Sequence, residues 1–252
     1  MRKRWPGFAL IAAILLAWEA CSAWKIIDPV VFPRVSLIFA TWGEIIANGE
    51  LLRQLMPSLG RIFTGVGIAI AIAVPVGLLM GTVSFVYRLL EPLVEFIRPI
   101  PSSAYIPVAI LFLGIGNEMK VFVVALACFF PILLNTYSGV RGIDPVLIDT
   151  GRTFGVTPLN TLAQIIFPAS LPNILTGIQI SLGLALIVVV VAEMISGNNG
   201  IGYLILNMQR IFRVPEMFAG IFTLGLLGYF INLVFLQIEH YVLRWRISGE
   251  AT

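Results

Sequence analysis

The sequence predicts an all-α membrane protein with six transmembrane helices, and three features of its composition lead to that prediction. Its mean hydropathy is +0.98 over 252 residues, and 59% of the residues are hydrophobic. Only 12% are charged, whereas soluble globular domains carry roughly 25%. The apolar residues gather in runs close to the ~20 residues that a helix needs to cross a bilayer. Because Lys and Arg fall singly or in small groups between these runs, the net charge of +3 reflects membrane topology and not nucleic-acid binding.

The first apolar run begins like a signal peptide, with basic residues before an apolar stretch. However, Trp18, Glu19 and Trp24 occupy the region where small residues precede a cleavage site, so we predict an uncleaved first span. In the moderately polar section that follows, apolar residues recur at helical spacing, which predicts a helix lying along the outer membrane surface. The six predicted spans are residues 8–24, 59–85, 93–114, 119–140, 173–195 and 218–243.

The orientation of the spans follows from the distribution of basic residues. An even number of spans places both termini on the same side of the membrane. The basic cluster Arg2 to Arg4 and the closing pair Arg244 and Arg246 lie beside span ends, where the positive-inside rule has most force. We therefore expect both termini in the cytoplasm, although the bias over the whole chain is weak.

The cysteines and the histidine of this chain argue against a catalytic site or a metal site. Cys21 and Cys128 lie in separate apolar runs, so they form no CxxC metal motif and no disulfide framework. A single histidine, His240, gives little basis for a metal site or a Ser-His-Asp arrangement. We predict no catalytic residue and no metal site.

The lysines exclude one further kind of site. A Walker A loop requires a lysine directly after a glycine, since that lysine and the loop amides hold the phosphates of ATP. Lys3, Lys25 and Lys120 all follow other residues. The chain is therefore predicted to bind no ATP or other cofactor itself, and the energy for transport must come from a partner or from a gradient.

A long polar passage, residues 144–168, separates the fourth and fifth predicted spans. Asp144 before Pro145 is typical of a helix start. Gly155 is of the residue type that commonly ends an α-helix, because glycine readily adopts the left-handed backbone conformation. Thr157 before Pro158 repeats the start signal. The passage is thus predicted to form two short helices joined by a tight turn at Gly155, on the cytoplasmic side.

The first of these short helices is suited to docking into another protein. Leu147, Gly151 and Phe154 share a face by their spacing, while Asp149 and Arg152 lie on another. The alternative is a solvated loop that only joins two spans, but such a loop needs just a few residues.

The passage resembles the EAA motif of permeases from binding-protein-dependent ABC transporters. That motif reads Glu-Ala-Ala, three residues, Gly, nine residues, Ile, one residue, a large apolar residue and Pro. Every spacing is kept, with Asp in place of Glu, Thr-Gly in place of Ala-Ala and Phe in place of the usual Leu. The matching residues are Asp149, Thr150, Gly151, Gly155, Ile165, Phe167 and Pro168.

The resemblance covers most of the chain and extends to the nitrate, sulfonate and taurine branch of the family, through stretches such as FFPILLNTYSGVRGIDP and VVAEMISGNNGIGYLI. It implies a type I ABC importer transmembrane domain over residues 1–252, in which residues 144–168 form the cytoplasmic coupling region. Asp149, Gly151 and Gly155 would then contact an ATPase subunit, with Arg152 and Phe154 beside them.

The resemblance also implies partners and a location. Two permease copies, expected to be identical, would surround a central path in a bacterial inner membrane. Two ATPase subunits with ATP and Mg would lie beneath them, and a periplasmic solute-binding protein would lie above. The chain would carry a small solute by alternating access.

Two further features suggest residues of the translocation path. The stretch IRPIPSSAYIP contains several prolines at the start of the third predicted span, Pro101 among them. They indicate a broken helix that lines a path, with Ser102 and Ser103 as its polar groups. Alternatively, Pro99 and Pro101 only mark a helix start. Glu193 ends an otherwise apolar run, so it should face the bundle interior or water, as a gate residue or as a carboxylate that caps the next turn or pairs with a neighbouring helix.

Two other classes of protein remain as alternatives. A gradient-driven secondary transporter needs ionisable groups along its path, and Glu19 and Glu193 are few but present. It would leave the polar passage without a purpose. A membrane-embedded hydrolase is less favoured, because no titratable partner for Ser102, Ser103 or Ser196 can be named from the sequence.

Overall fold

The computed structural model describes residues 5–244, which form helices and connecting turns without a β-strand in that range. The all-α membrane class is thereby confirmed. The basic residues 2–4 and Arg246, on which the predicted orientation depends, lie outside the described range. The helices are α1 (Trp5–Ala23), α2 (Val35–Ala47), α3 (Glu50–Thr82), α4 (Ser84–Ile97), α5 (Ile106–Leu113), α6 (Asn117–Arg141), α7 (Pro145–Thr153), α8 (Pro158–Thr161), α9 (Phe167–Ser196), α10 (Ile201–Arg210) and α11 (Val214–Val242).

Four stretches of helix among the described residues are long and apolar enough to cross a membrane. They correspond to the second, fourth, fifth and sixth predicted spans, which are confirmed. The first predicted span appears as the shorter apolar helix α1, and the predicted surface helix appears as α2. The four long stretches are Glu50–Thr82, Asn117–Arg141, Pro158–Ser196 and Val214–Val242.

The third predicted span, residues 93–114, is wrong as a single helix. The chain instead forms two helical arms, Ser84–Ile97 and Ser102–Leu113, which meet at an angle of 86°. Pro99 and Pro101 lie at the break, and a proline supplies no backbone N–H and disfavours a helical residue before it. If the bent pair counts as one span, the described residues contain five.

The core of the bundle is formed by α3, α6 and α9, with contributions from α4 and α11. Helices α3 and α6 approach closely because small residues recur every fourth position along α3. A Cβ atom added at Gly77 would lie 2.7 Å from the side chain of Thr136, so no larger residue fits there. This is the small-residue packing by which helices associate where lipid offers no hydrophobic driving force. The row comprises Gly65, Ala69, Ala73, Gly77 and Gly81.

The bundle has two chemically different ends. The first turns of α3, the first turn of α6 and the last turn of α9 meet at one end, where Arg61 bonds to Asn117 and Glu193; we call this the Glu193 end. The last turn of α6 and the first of α9 meet at the other end, which carries residues 144–168; we call this the Gly155 end. With 30 residues at about 1.5 Å each, α9 runs roughly 45 Å between them.

Candidate functional site

The polar passage at the Gly155 end has the local structure that its capping residues predict. The Asp144 carboxylate accepts a hydrogen bond from Val146 N at 2.9 Å, and Thr157 Oγ1 accepts one from Asn160 N at 3.4 Å. Gly155 adopts φ +74°, the left-handed conformation that ends α7. The prediction of two short helices with a turn at Gly155 is confirmed.

The second short helix continues directly into the bundle. A single π-helical turn, Leu162–Ile166, joins α8 to α9, so that Pro158–Ser196 forms one long helical stretch. Helix α7 rests on this π turn through Gly151, which is buried. A Cβ atom at Gly151 would lie 2.5 Å from Ile165 Cδ1, so a larger residue would displace Ile165. Two residues of the EAA-like pattern therefore form the contact between α7 and the start of the long helix.

The outward side of the passage is exposed and partly apolar. Phe154 is 82% exposed and Leu159 is 75% exposed. Asp149 and Arg152 form an ion pair at 3.3 Å, and both are largely exposed, so the pair adds little to stability. The predicted common face of Leu147, Gly151 and Phe154 is divided in the structure, since Gly151 faces Ile165 while Phe154 projects outward.

Of the remaining predicted residues of this passage, Thr150 is exposed and its Oγ1 donates to Val146 O at 2.7 Å. Pro168 is half-buried and lies in the first turn of α9. It borders a cleft of about 340 Å³ between the start of α7 and the neighbouring turns of α6 and α9. The Gly155 end thus presents two exposed apolar side chains, Phe154 and Leu159, on helices whose starts are capped.

The predicted path residues lie at the bend between the two arms of the broken helix. Pro101 precedes a short 3₁₀ turn, Ser102–Tyr105, in which Ser102 is half-buried and Ser103 exposed. Both serines border a groove of about 420 Å³ that is walled by α6 and α9. Non-helical backbone is tolerated at membrane depth only beside protein or water, which is consistent with a groove of this kind. Glu193 does not line this groove, although Val191 does.

Glu193 is fully buried at the Glu193 end and is held by two other helices. Its carboxylate accepts a hydrogen bond from Arg61 Nη1 at 2.5 Å and from Ser58 Oγ at 2.8 Å, both on α3. It also accepts one from Gly202 N at 2.9 Å, in the first turn of α10. The sequence offers, as the alternative to a gate, a carboxylate that caps the following turn or pairs with a neighbouring helix, and the structure shows both contacts.

Arg61 is the principal residue of this cluster that sequence reasoning missed. It is 3% exposed, and its guanidinium donates to Asn117 Oδ1 at 2.7 Å, to Asn199 O at 3.2 Å and to the side chain of Asn199. By residue type and position alone, Arg61 is typical of a basic residue near a span end. The spacing of Gln54, Ser58 and Arg61, which places three polar groups on one helix face next to an apolar run, was the signal that pointed to a buried contact.

The turn between α9 and α10 is shaped around the same cluster. Gly200 N donates to Gln54 Oε1 at 2.9 Å, and Ile201 N donates to Ser58 Oγ at 3.0 Å. Gly200 has φ +110°, and a Cβ atom there would lie 2.2 Å from the Glu193 carboxyl carbon. The free N–H groups at the start of α10 are thus satisfied by α3 and by Glu193, which fixes α10 across the Glu193 end.

Comparison of the sequence with known proteins assigns this chain to a family. Residues 73–247 match the family described as binding-protein-dependent transport system inner membrane component. A protein of Methanocaldococcus jannaschii named as an ABC transporter permease is 35% identical over 243 residues, covering 94% of this chain and 91% of its own. The Bacillus subtilis protein SsuC, named as an aliphatic sulfonates transport permease, is 32% identical over 252 residues, covering 99% and 91%.

The fold also has a counterpart among solved structures. An inward-facing form of the MetNI methionine ABC transporter matches with a TM-score of 0.66 and 22% identity, over 76% of this chain and 95% of that one. This chain therefore shares the arrangement of its helices with that structure.

Proposed function

The chain belongs to the family of binding-protein-dependent transport system inner membrane components and is a permease of an ABC importer, and from this premise we propose that residues 144–168 receive force from a separate ATPase subunit. The observation that carries the proposal is the exposed apolar knob of Phe154 and Leu159 on capped helices. Burial of such side chains is the main source of affinity at the centre of an interface.

The contact between Gly151 and Ile165 supplies a route for that force. Because α7 rests on the π turn, and the π turn continues into α9, a displacement of α7 acts on a helix that reaches the Glu193 end. Asp149, Thr150, Arg152 and Gly155 lie in α7 and the turn after it, close to Phe154 in the sequence, and would contact the ATPase. Closure of the ATPase subunits on ATP and Mg would thus move spans that this chain contributes.

The proposed solute is a small anion of the nitrate, sulfonate or taurine type, delivered by a periplasmic binding protein. Support comes from the branch that the sequence resembles and from the named activity of SsuC. We further propose two identical permease copies with two ATPase subunits, in a bacterial inner membrane with both termini in the cytoplasm. The groove at Pro101, Ser102 and Ser103 is proposed as part of the path between the copies.

Reconstitution into vesicles tests the source of energy. We expect uptake of a sulfonate only when the permease, its ATPase subunit and its binding protein are present with ATP, because the chain carries no Walker A lysine of its own. The alternative, a gradient-driven secondary transporter, requires uptake by the permease alone under a proton or sodium gradient. Such uptake without the ATPase subunit would refute the proposed function.

The path proposal predicts water access at the bend. In a variant whose Cys21 and Cys128 are replaced by serine, a cysteine placed by Ser102→Cys should react with a charged thiol reagent, at a rate that changes when ATP is added. The control is Phe230→Cys, at an exposed position within α11 that should face lipid and react much more slowly. Equal, ATP-independent rates at the two positions would contradict a path at Ser102.

A further inference from the structure

Charged side chains follow one face of α4, the first arm of the broken span. This charged face comprises Arg88, Glu91, Glu95 and Arg98, which recur at intervals of three and four residues, the spacing of one helix face. Three of them are exposed, while Glu91 is half-buried and accepts a hydrogen bond from the Tyr87 hydroxyl. A charged group inside a membrane is costly where it meets lipid, so this face should meet water or protein. The function proposed above does not account for it.

The charged face ends at the groove beside the bend. Arg98 lines this groove together with Ser102 and Ser103, which begin the second arm. The wall that α6 contributes runs from Ala127 to Leu134, and α6 extends at least seven residues beyond this wall at each end. At about 1.5 Å per residue, the wall lies roughly 10 Å or more from either end of that helix. The groove therefore opens beside the membrane-spanning part of α6, between the Glu193 end and the Gly155 end.

Arg98 gives the groove a positive charge. Among the described residues that line the groove, Arg98 is the one that carries a charge; the others are serines, prolines and apolar residues. Glu95 does not line the groove, and its carboxylate lies 3.6 Å from Arg98 Nη1, which is longer than a hydrogen bond. The Arg98 side chain is 49% exposed. Its N–H donors are thus available to a solute in the groove, and guanidinium groups bind oxyanions through paired N–H donors.

We propose that Arg98 selects anions in the translocation path, by attracting an oxyanion such as a sulfonate or nitrate group into the groove. The hydroxyls of Ser102 and Ser103 are further donors for the same anion. A groove of about 420 Å³ with apolar walls and a few polar groups is typical of a site for a small molecule. Glu95 offsets part of the Arg98 charge, so the anion is held weakly enough to leave. The inference rests on the proposed function and adds to it the residue that gives the path its charge preference.

Two thiol reagents of opposite charge measure this preference. The permease–ATPase complex carries Ser102→Cys, with Cys21 and Cys128 replaced by serine, and is treated with a methanethiosulfonate that bears either a sulfonate or a trimethylammonium group. Each rate is divided by the rate of the same reagent with a small thiol in solution, which removes differences in intrinsic reactivity. The sulfonate reagent should be favoured about tenfold, the effect of one charge roughly 10 Å away in a partly solvated site.

Variants of the ion pair assign the preference to one charge. Arg98→Gln should remove the preference, and Arg98→Lys should keep most of it, because the positive charge is retained. Glu95→Gln should increase it, because the carboxylate that offsets Arg98 is removed. The matched control is Arg34→Gln, at an exposed arginine directly before α2, and it should leave the preference unchanged.

The possible results separate this inference from the proposed function. Equal normalised rates for the two reagents overturn the role of Arg98, and so does a preference that survives Arg98→Gln. If Arg98→Gln does not assemble, Glu95→Gln decides the matter, since an unchanged preference in that variant also overturns the role. A thiol at position 102 that reacts with neither reagent refutes both the path there and its charge preference. ATP hydrolysis stimulated by the binding protein is measured on the same preparations before labelling. Stimulation without a charge preference leaves ATP-driven import intact and removes only the role of Arg98.

Discussion

Glu193→Gln should destabilise the protein by about 3–5 kcal/mol, the usual cost of breaking a buried ion pair by removing one partner. The substitution leaves Arg61 buried without the carboxylate that it bonds to. The glutamine has nearly the same size and can still accept from Ser58 and Gly202, so the loss reports charge and not packing. A lower melting temperature of the purified complex, compared with wild type in the same detergent, is the measurement.

A double variant provides the control for that prediction. Adding Arg61→Met to Glu193→Gln removes the uncompensated cation, so the double variant should be more stable than Glu193→Gln alone. Coupling of this kind is the signature of two residues that interact directly. If the two substitutions simply add, the pair is not a unit, and the interpretation of the cluster fails.

The same variant tests the proposal that Glu193 is a gate residue. In the structure Glu193 bonds both to Ser58 on α3 and to Gly202 at the start of α10. Weaker contacts between α10 and α3 should let the Glu193 end open without a binding protein. We therefore expect Glu193→Gln to raise ATP hydrolysis in the absence of binding protein. A complex that is less stable but keeps a low unstimulated rate would assign Glu193 a structural role only.

Local signals in the sequence predicted the Gly155 end well. Asp144, Gly155 and Thr157 each act on backbone groups within three residues, so their consequences follow from residue type and spacing alone. Capping does not specify which side of a short helix is covered, however. That depends on Ile165, which lies 14 residues after Gly151 along the chain but directly against it in the fold.

The Glu193 end could be predicted only in part, because its contacts join distant parts of the chain. The sequence indicated that Glu193 must face the interior, since a carboxylate at that depth is too costly in lipid. Its partner Arg61 lies 132 residues away. Basic residues near the start of an apolar run ordinarily mark a span end, so Arg61 by itself does not indicate a buried partner. The predicted second span begins at residue 59, whereas α3 begins at Glu50.

The bend in the third predicted span shows a different limit. Prolines at positions 99 and 101 predicted an interruption, but they equally fitted the start of a helix. The structure combines the two, because a new helical arm does start after Pro101, and a separate arm, α4, precedes the break. Only the 86° angle between the arms distinguishes a re-entrant or broken span from an ordinary one.

Phe154→Asp should weaken the association of the permease with its ATPase subunit while leaving the spans folded. Phe154 is 82% exposed and belongs to no core cluster among residues 5–244, so its loss costs the fold little. In a docked complex the same side chain would be buried, and its replacement by a charge would remove apolar contact and leave a carboxylate without water. We expect at least about a tenfold loss of copurifying ATPase subunit.

The matched control for that prediction is Phe212→Asp, since Phe212 is also 82% exposed but lies in the turn after α10, away from the Gly155 end. Both variants exchange an exposed phenylalanine for an aspartate, so a general effect of the new charge on expression or solubility appears in both. Retention of the ATPase subunit by Phe212→Asp, together with its loss from Phe154→Asp, locates the contact at the Gly155 end. Equal retention by both variants would mean that the ATPase binds elsewhere. The proposed route through Gly151, Ile165 and α9 could then not receive force from the ATPase.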